Sequence, residues 1–214
     1  MEHAFWHERW AENRIGFHEG RANRMLTAHL ADLGLAPGAR IFLPLCGKTR
    51  DIPWLMAQGH PVAGAELSET AVRQLFDEMK LVPEITGTHG GMRFAAPGVD
   101  VFVGDIFDLD AETLGPVDAI FDRAALVALP TGMRDRYAAH LMALTGTAPQ
   151  LLVTFEYDQS AMDGPPFSVT EAMARDHYGA DYTIDVLERV DLGGGLRGKV
   201  DARETAWKLV PRDA

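Results

Sequence analysis

Five short apolar runs, each bounded by turn residues, constrain this chain more than anything else in it. They cover residues 40–45, 61–66, 99–104, 117–121 and 150–155. Their length and near-continuous hydrophobicity fit strands buried on both faces. Stretches of helical spacing lie between them, at 51–58, 68–79 and 132–144. Ser68 followed by Glu69 marks one helix start, and Pro130 with Thr131 opens the next. Strand then helix, repeated, predicts an α/β fold: a doubly wound, mostly parallel sheet covered on both faces.

Two regions fall outside this rhythm. At the N-terminus the spacing predicts a helix over 5–11, a loop through Gly20 and a helix over 22–33. Towards the C-terminus, 182–190 and 203–210 alternate like an antiparallel hairpin, with Gly193-Gly194-Gly195 as a loose turn in their connection. The stretch 81–97, with Gly90-Gly91, has little periodicity and receives no element. No repeat or linker divides the 214 residues, a length that suits one domain. Residues 1–36 are expected to form an N-terminal helical lid over a core at 37–214.

Composition narrows the partners. A formal net charge of −11 and the lack of a basic run oppose nucleic-acid binding, which depends on Lys and Arg at phosphates. No run of eighteen apolar residues exists, so no membrane span is expected. The start, Met1-Glu2-His3-Ala4-Phe5-Trp6, lacks the pattern of a secretion signal. The one cysteine, Cys46, excludes an internal disulfide and fits a reducing compartment. The expectation is a cytoplasmic protein, a monomer, acting on a small molecule.

Ligands of open α/β sheets bind beyond the carboxyl ends of the strands, where strand order reverses. The first predicted strand ends at Leu43-Pro44-Leu45-Cys46-Gly47-Lys48, where Gly47 permits a tight turn and close approach of a ligand. The second ends about twenty residues later at Glu66, where a carboxylate can accept both hydroxyls of a ribose. A surface acid ending a strand is the plainer alternative. The glycines of G-x-G-x-x-G are absent, so a cofactor without a pyrophosphate fits better than a dinucleotide. Asp105 and Ile106, at the next strand end, suit the amine and face of an adenine ring, or form an ordinary turn. Arg123 opens into the crevice after Phe121-Asp122 and can meet a carboxylate or an anionic acceptor, or pair with Asp122.

Several motifs occurring in order resemble the thiopurine S-methyltransferase family along nearly the whole chain. They are Phe5-Trp6-His7-Glu8-Arg9-Trp10, Gly16-Phe17-His18-Glu19, Phe42-Leu43-Pro44-Leu45-Cys46-Gly47-Lys48 and Gly64-Ala65-Glu66-Leu67-Ser68. Asp105-Ile106-Phe107-Asp108-Leu109, the segment from Phe121-Asp122-Arg123 to Leu129, and Gly164-Pro165-Pro166-Phe167 complete the set. The resemblance, to the family's bacterial type, implies a Rossmann-like sheet, S-adenosylmethionine as methyl donor rather than NAD, and a sulfur acceptor. It implies cofactor contacts at Trp10, Leu45, Gly47, Glu66, Asp105, Ile106 and Arg123. Phe17, His18, Arg123 and Arg197 match the acceptor side, with Arg123 orienting the acceptor and Asp122 orienting Arg123.

Methyl transfer from a sulfonium is chemistry of the cofactor, and heteroaromatic thiols ionise near neutral pH, so no nucleophile or strong base is expected. Cys46 reads as packing in a tight turn. His3 and His7 share a helix face, but no third ligand is evident, so no metal is expected. Rival acceptors are selenium or tellurium oxyanions, sulfide, thiocyanate and aliphatic thiols. More distant readings are a nucleotide-dependent oxidoreductase and a non-catalytic cofactor-binding domain.

Overall fold

The computed structural model describes residues 3–16 and 18–212, so Phe17 lies outside the described residues. The chain opens with α1 (His3–Ala11) and α2 (Arg24–His29), the latter capped by the Asn23 side chain accepting from the Met25 N–H. A 3-10 turn, Leu30–Leu33, continues α2 and ends at Gly34 with positive φ. The alternating section follows: β1 (Ile41–Leu43), α3 (Asp51–Ala57), β2 (Val62–Glu66) and α4 (Glu69–Met79). Ser68 caps α4 from the Ala71 N–H, and Ala71, Val72, Leu75 and Phe76 form its buried stripe.

Next come β3 (Glu84–Thr88), β4 (Gly91–Ala96), β5 (Val99–Gly104) and the short α5 (Ala111–Leu114). The remainder is β6 (Ala119–Arg123), α6 (Thr131–Thr145), β7 (Gln150–Tyr157), α7 (Glu171–Tyr178), β8 (Tyr182–Asp191) and β9 (Ala202–Pro211). All strands join one sheet in the order β3-β4-β5-β2-β1-β6-β7-β9-β8. The five central strands, β5 to β7 in that order, run parallel, and both ends of the sheet are antiparallel. The C-terminal hairpin appears as expected. So do the five strands read from sequence, with shifts of up to two residues at their ends.

The stretch 81–97 is a hairpin that the sequence did not disclose. β3 is an edge strand exposed along nearly its whole length, so it shows no apolar alternation. β4 starts at Gly91, where a Cβ would stand 1.9 Å from the Val103 carbonyl oxygen. Only glycine allows the two backbones to pass so closely. Helix α7 was also unread; Thr170 caps it, and its only fully buried side chains are Ala174 and Tyr178.

The sheet separates two apolar layers. Phe42, Ala63, Ile120, Leu152 and Trp207 face one layer, with Tyr137 and Leu141 of α6. Ile41, Leu43, Val62, Phe121, Val153 and Ala206 face the other, with Met25 and Leu26 of α2. Consecutive strand residues point to opposite faces, and this alternation decides which side chains reach the carboxyl edge together. Among the described residues, no helix is long and apolar enough to cross a membrane.

Candidate active site

A cavity of about 400 Å³ opens at the carboxyl edge of the central strands, a size typical of small-molecule sites. The turn after β1 forms its floor. Leu45 and Gly47 both take left-handed backbone conformations there, and the Cys46 N–H donates to the Ala65 carbonyl at 2.9 Å. This aims the Gly47 N–H at Glu66 Oε2, 2.8 Å away, while the Ser68 N–H donates to Oε1, also at 2.8 Å. Burial pushes the Glu66 carboxyl above its usual range, and these backbone donors oppose that rise. Each oxygen keeps an acceptor site for a further donor.

Trp10 closes this floor from the N-terminal helix and is 4% exposed. A Cβ on Gly47 would lie 2.9 Å from its Cζ2, and Gly47 has φ +54. The indole therefore rests directly on the peptide of the turn. Cys46 also lines the cavity; burial pushes its thiol well above its usual value, so it stays protonated and packs.

At the end of β5, Asp105 and Ile106 line the same cavity. One Asp105 oxygen accepts the Phe107 N–H at 3.0 Å, and the other meets His3 Nε2 at 3.0 Å. The expected adenine acceptor is thus already engaged with the N-terminal helix. Ile106 is buried, and its carbonyl is bonded to the His140 ring at 2.7 Å. Among the described residues, no group of three or more metal-ligating side chains comes together.

Beyond β6 the lining becomes charged. Arg123 projects into the cavity and forms an ion pair with Glu19 of the N-terminal segment. The expectation that Asp122 orients Arg123 needs correction. Asp122 sits on the opposite sheet face, fully buried, where Tyr137 Oη donates to it at 2.7 Å and the Leu126 N–H at 3.1 Å. Adjacent strand residues alternate, so sequence neighbours here point apart. Asp122 ties β6 to α6 and does not line the cavity. His18 and Arg197 do line it. Burial lowers both of their pKa values, helped by Lys48 at His18 and by Arg9 at Arg197.

Sequence reasoning assigned no role to Arg9, Glu19, Phe155 or Glu204, all of which line the cavity. Arg9 and Glu19 lie inside quoted motifs, where their flanking aromatics took the attention. Glu204 carried no signal beyond being an acid within the C-terminal strand. Arg134 is a further buried cation outside the site. It holds the loop before α7 by donating to the Leu129 carbonyl at 2.9 Å and the Ser168 carbonyl at 3.2 Å.

The turn, the acid ending β2 and the arginine ending β6 therefore share one crevice. The model of the family described as Thiopurine S-methyltransferase matches residues 1–210. The chain belongs to the thiopurine S-methyltransferase family. It is 58% identical over 210 residues to a "Thiopurine S-methyltransferase" of Xanthobacter autotrophicus, covering 98% of this chain and 99% of the relative. It is 49% identical to a family member of the same name from Gluconobacter oxydans, covering 97% and 94% of the two chains. Among solved structures, the fold is similar to a 1,6-didemethyltoxoflavin-N1-methyltransferase of Burkholderia thailandensis that contains S-adenosylhomocysteine. The TM-score there is 0.66 at 16% identity, over 97% of this chain and 86% of the other. A TehB-like SAM-dependent methyltransferase of Corynebacterium glutamicum gives a TM-score of 0.58 at 14% identity, with 98% of both chains covered. At such identities these two structures speak for the fold, a Rossmann-like methyltransferase sheet.

Proposed function

We propose that the chain binds S-adenosylmethionine in this cavity and catalyses S-methylation of small aromatic or heterocyclic thiols such as thiopurines. The observation that carries the reading is Glu66: a buried carboxylate, fixed by two backbone N–H groups under Trp10, in one cavity with Arg123. That arrangement suits a ribose diol beside an anion. The donor supplies an electrophilic methyl group on a sulfonium, so the protein's work is to bind, align and exclude water.

In this reading the two Glu66 oxygens accept the ribose hydroxyls, and the backbone of Leu45 and Gly47 meets the amino-acid end of the donor. Trp10 presents an indole face to a cation, an attraction of roughly 0.5–2 kcal/mol. Ile106 packs against the base, and Asp105 reaches its amine on exchanging His3. Arg123, with Arg197, holds the acceptor's developing thiolate, while His18 closes over it. Fixing acceptor and donor in line contributes about 7–11 kcal/mol towards the barrier. Residues 1–36 act as a lid on a single domain, and the enzyme works as a monomer. Because Arg9, Arg123 and Arg197 all line the cavity, a small selenium or tellurium oxyanion is the second acceptor class.

The test is incubation with S-adenosylmethionine and 6-mercaptopurine, an aliphatic thiol, selenite or tellurite, alongside Glu66→Ala and Arg123→Ala. Mass spectrometry follows product, and calorimetry follows S-adenosylhomocysteine binding. Methylated 6-mercaptopurine that disappears in both variants supports the reading. Tight S-adenosylhomocysteine binding without any thiol product overturns the acceptor class, and no binding overturns the donor site.

A further inference from the structure

One carboxylate in the cavity has no assigned work. Glu204 stands on β9, paired with Phe155 of β7 and with Val190 of β8. Two residues on, Ala206 pairs with Val153, which in turn pairs with Arg123. Glu204 and Arg123 therefore share a sheet face at the same edge, on opposite sides of β7. Glu204 is only 7% exposed and lines the cavity. Among the described residues its carboxylate makes no hydrogen bond or ion pair.

The charged groups that act on Glu204 include Arg123 on β6, Glu19 on the N-terminal segment, Arg24 on α2 and Glu188 on β8. They are already matched: Arg123 with Glu19, and Arg24 with Glu188. Glu204 is the remaining acid. A carboxylate that lines the cavity with little solvent and no partner is costly to keep charged, which favours its taking up a proton offered from the cavity. Burial pushes its carboxyl above the usual range, the neighbouring acids act the same way, and the two arginines oppose them. A buried acid with a perturbed pKa that lines the cavity is a candidate for a chemical role.

We propose that Glu204 is the proton acceptor for thiols that enter the site protonated. This inference rests on the methyl-transfer reading above and extends its substrate class to thiols too weakly acidic to ionise in solution. The sulfur–hydrogen bond breaks, its electron pair stays on sulfur, and the proton passes to a Glu204 oxygen. Negative charge thereby moves from a poorly solvated carboxylate to a sulfur beside the Arg123 guanidinium. The proton returns to solvent when the methylated product leaves.

The experiment compares the wild type, Glu204→Gln and Glu204→Asp on aryl thiols graded from fully ionised to fully protonated at the assay pH. In the Gln variant kcat/KM for the most protonated thiol is expected to fall about 10²-fold more than for the ionised one. The Asp variant recovers part of that difference. A binding arm uses ultraviolet absorbance of an aryl thiol on the enzyme–S-adenosylhomocysteine complex in weak buffer. The wild type is expected to show the thiolate spectrum without releasing a proton, and the Gln variant to leave the thiol protonated. Equal losses across the series, with melting temperature and S-adenosylhomocysteine affinity preserved, overturn the role of Glu204 alone. So does thiolate formation with proton release in the wild type. A wild type that neither binds S-adenosylhomocysteine nor methylates a thiol overturns the functional reading and this inference together.

Discussion

The Trp10 ring lies so close to Gly47 that a methyl group built there would stand 2.9 Å from its Cζ2. Helix α1 and the turn after β1 thus meet with no room for a side chain. Gly47→Ala must displace the indole and also adopt φ +54, a strain of about 1–3 kcal/mol for a residue with a Cβ. Calorimetry with S-adenosylhomocysteine is expected to show affinity about tenfold or more weaker, equivalent to about 1.4 kcal/mol. Unchanged affinity would separate Trp10 from the donor site.

Glu66→Gln keeps the shape and one acceptor oxygen, but replaces the other oxygen with an NH2 donor. Its amide nitrogen would face either the Gly47 or the Ser68 N–H, donor against donor. Losing charge-assisted bonds of about 1.5–3 kcal/mol, S-adenosylhomocysteine affinity is expected to fall roughly 10- to 150-fold. The pH dependence has a definite sign. Because burial raises the Glu66 carboxyl, wild-type affinity declines on acidification from a higher pH than an exposed glutamate would give. The Gln variant lacks that limb, and titration calorimetry at several pH values checks both.

The central strands were legible because burial on both faces writes continuous apolar runs, and the cofactor turn was legible because its backbone needs particular residues. β3 was not legible: an exposed edge strand is held by its ladder to β4, which leaves no apolar period. The pairing of Asp122 with Arg123 failed for a different reason. Adjacency in sequence was read as contact, whereas a strand sends neighbours to opposite faces, towards Tyr137 and towards the cavity respectively. Arg123 pairs instead with Glu19, 104 residues away, and such a pairing exists only once the N-terminal segment has closed on the sheet edge. Glu204 is hidden for the same reason, since its significance depends on what does not surround it.

The Glu19–Arg123 pair bears on acceptor binding. Glu19 is 41% exposed at its side chain, so its hold on Arg123 is screened and contributes on the order of 0.2–1 kcal/mol. An ionised acceptor that uses Arg123 has to replace this carboxylate. In Glu19→Gln that competition is removed, and KM for an ionised aryl thiol is expected to fall about two- to fivefold. A rise in KM would instead assign Glu19 to holding the lid closed, and the salt dependence of KM in the wild type gives an independent check.

Asp122 makes a prediction about stability because it lies away from the cavity. Burial pushes its carboxyl up to about 6, against the pull of the Tyr137 hydroxyl and the Leu126 and Ala125 N–H groups. The folded chain therefore holds this proton more tightly than the unfolded chain, where the group titrates near 3.8. The stability it contributes is complete below about pH 3.8 and is lost as the pH rises through about 6. A difference of about two units corresponds to roughly 3 kcal/mol. Asp122→Asn cannot ionise, yet it keeps an oxygen for the Leu126 N–H and a nitrogen that a turned Tyr137 hydroxyl can accept from. Urea denaturation of both proteins from pH 4 to pH 7 is expected to show the variant gaining on the wild type by up to that amount as pH rises. Parallel stability profiles would mean that Asp122 titrates no differently in the fold than in the unfolded chain, and that its burial next to Tyr137 carries no electrostatic cost.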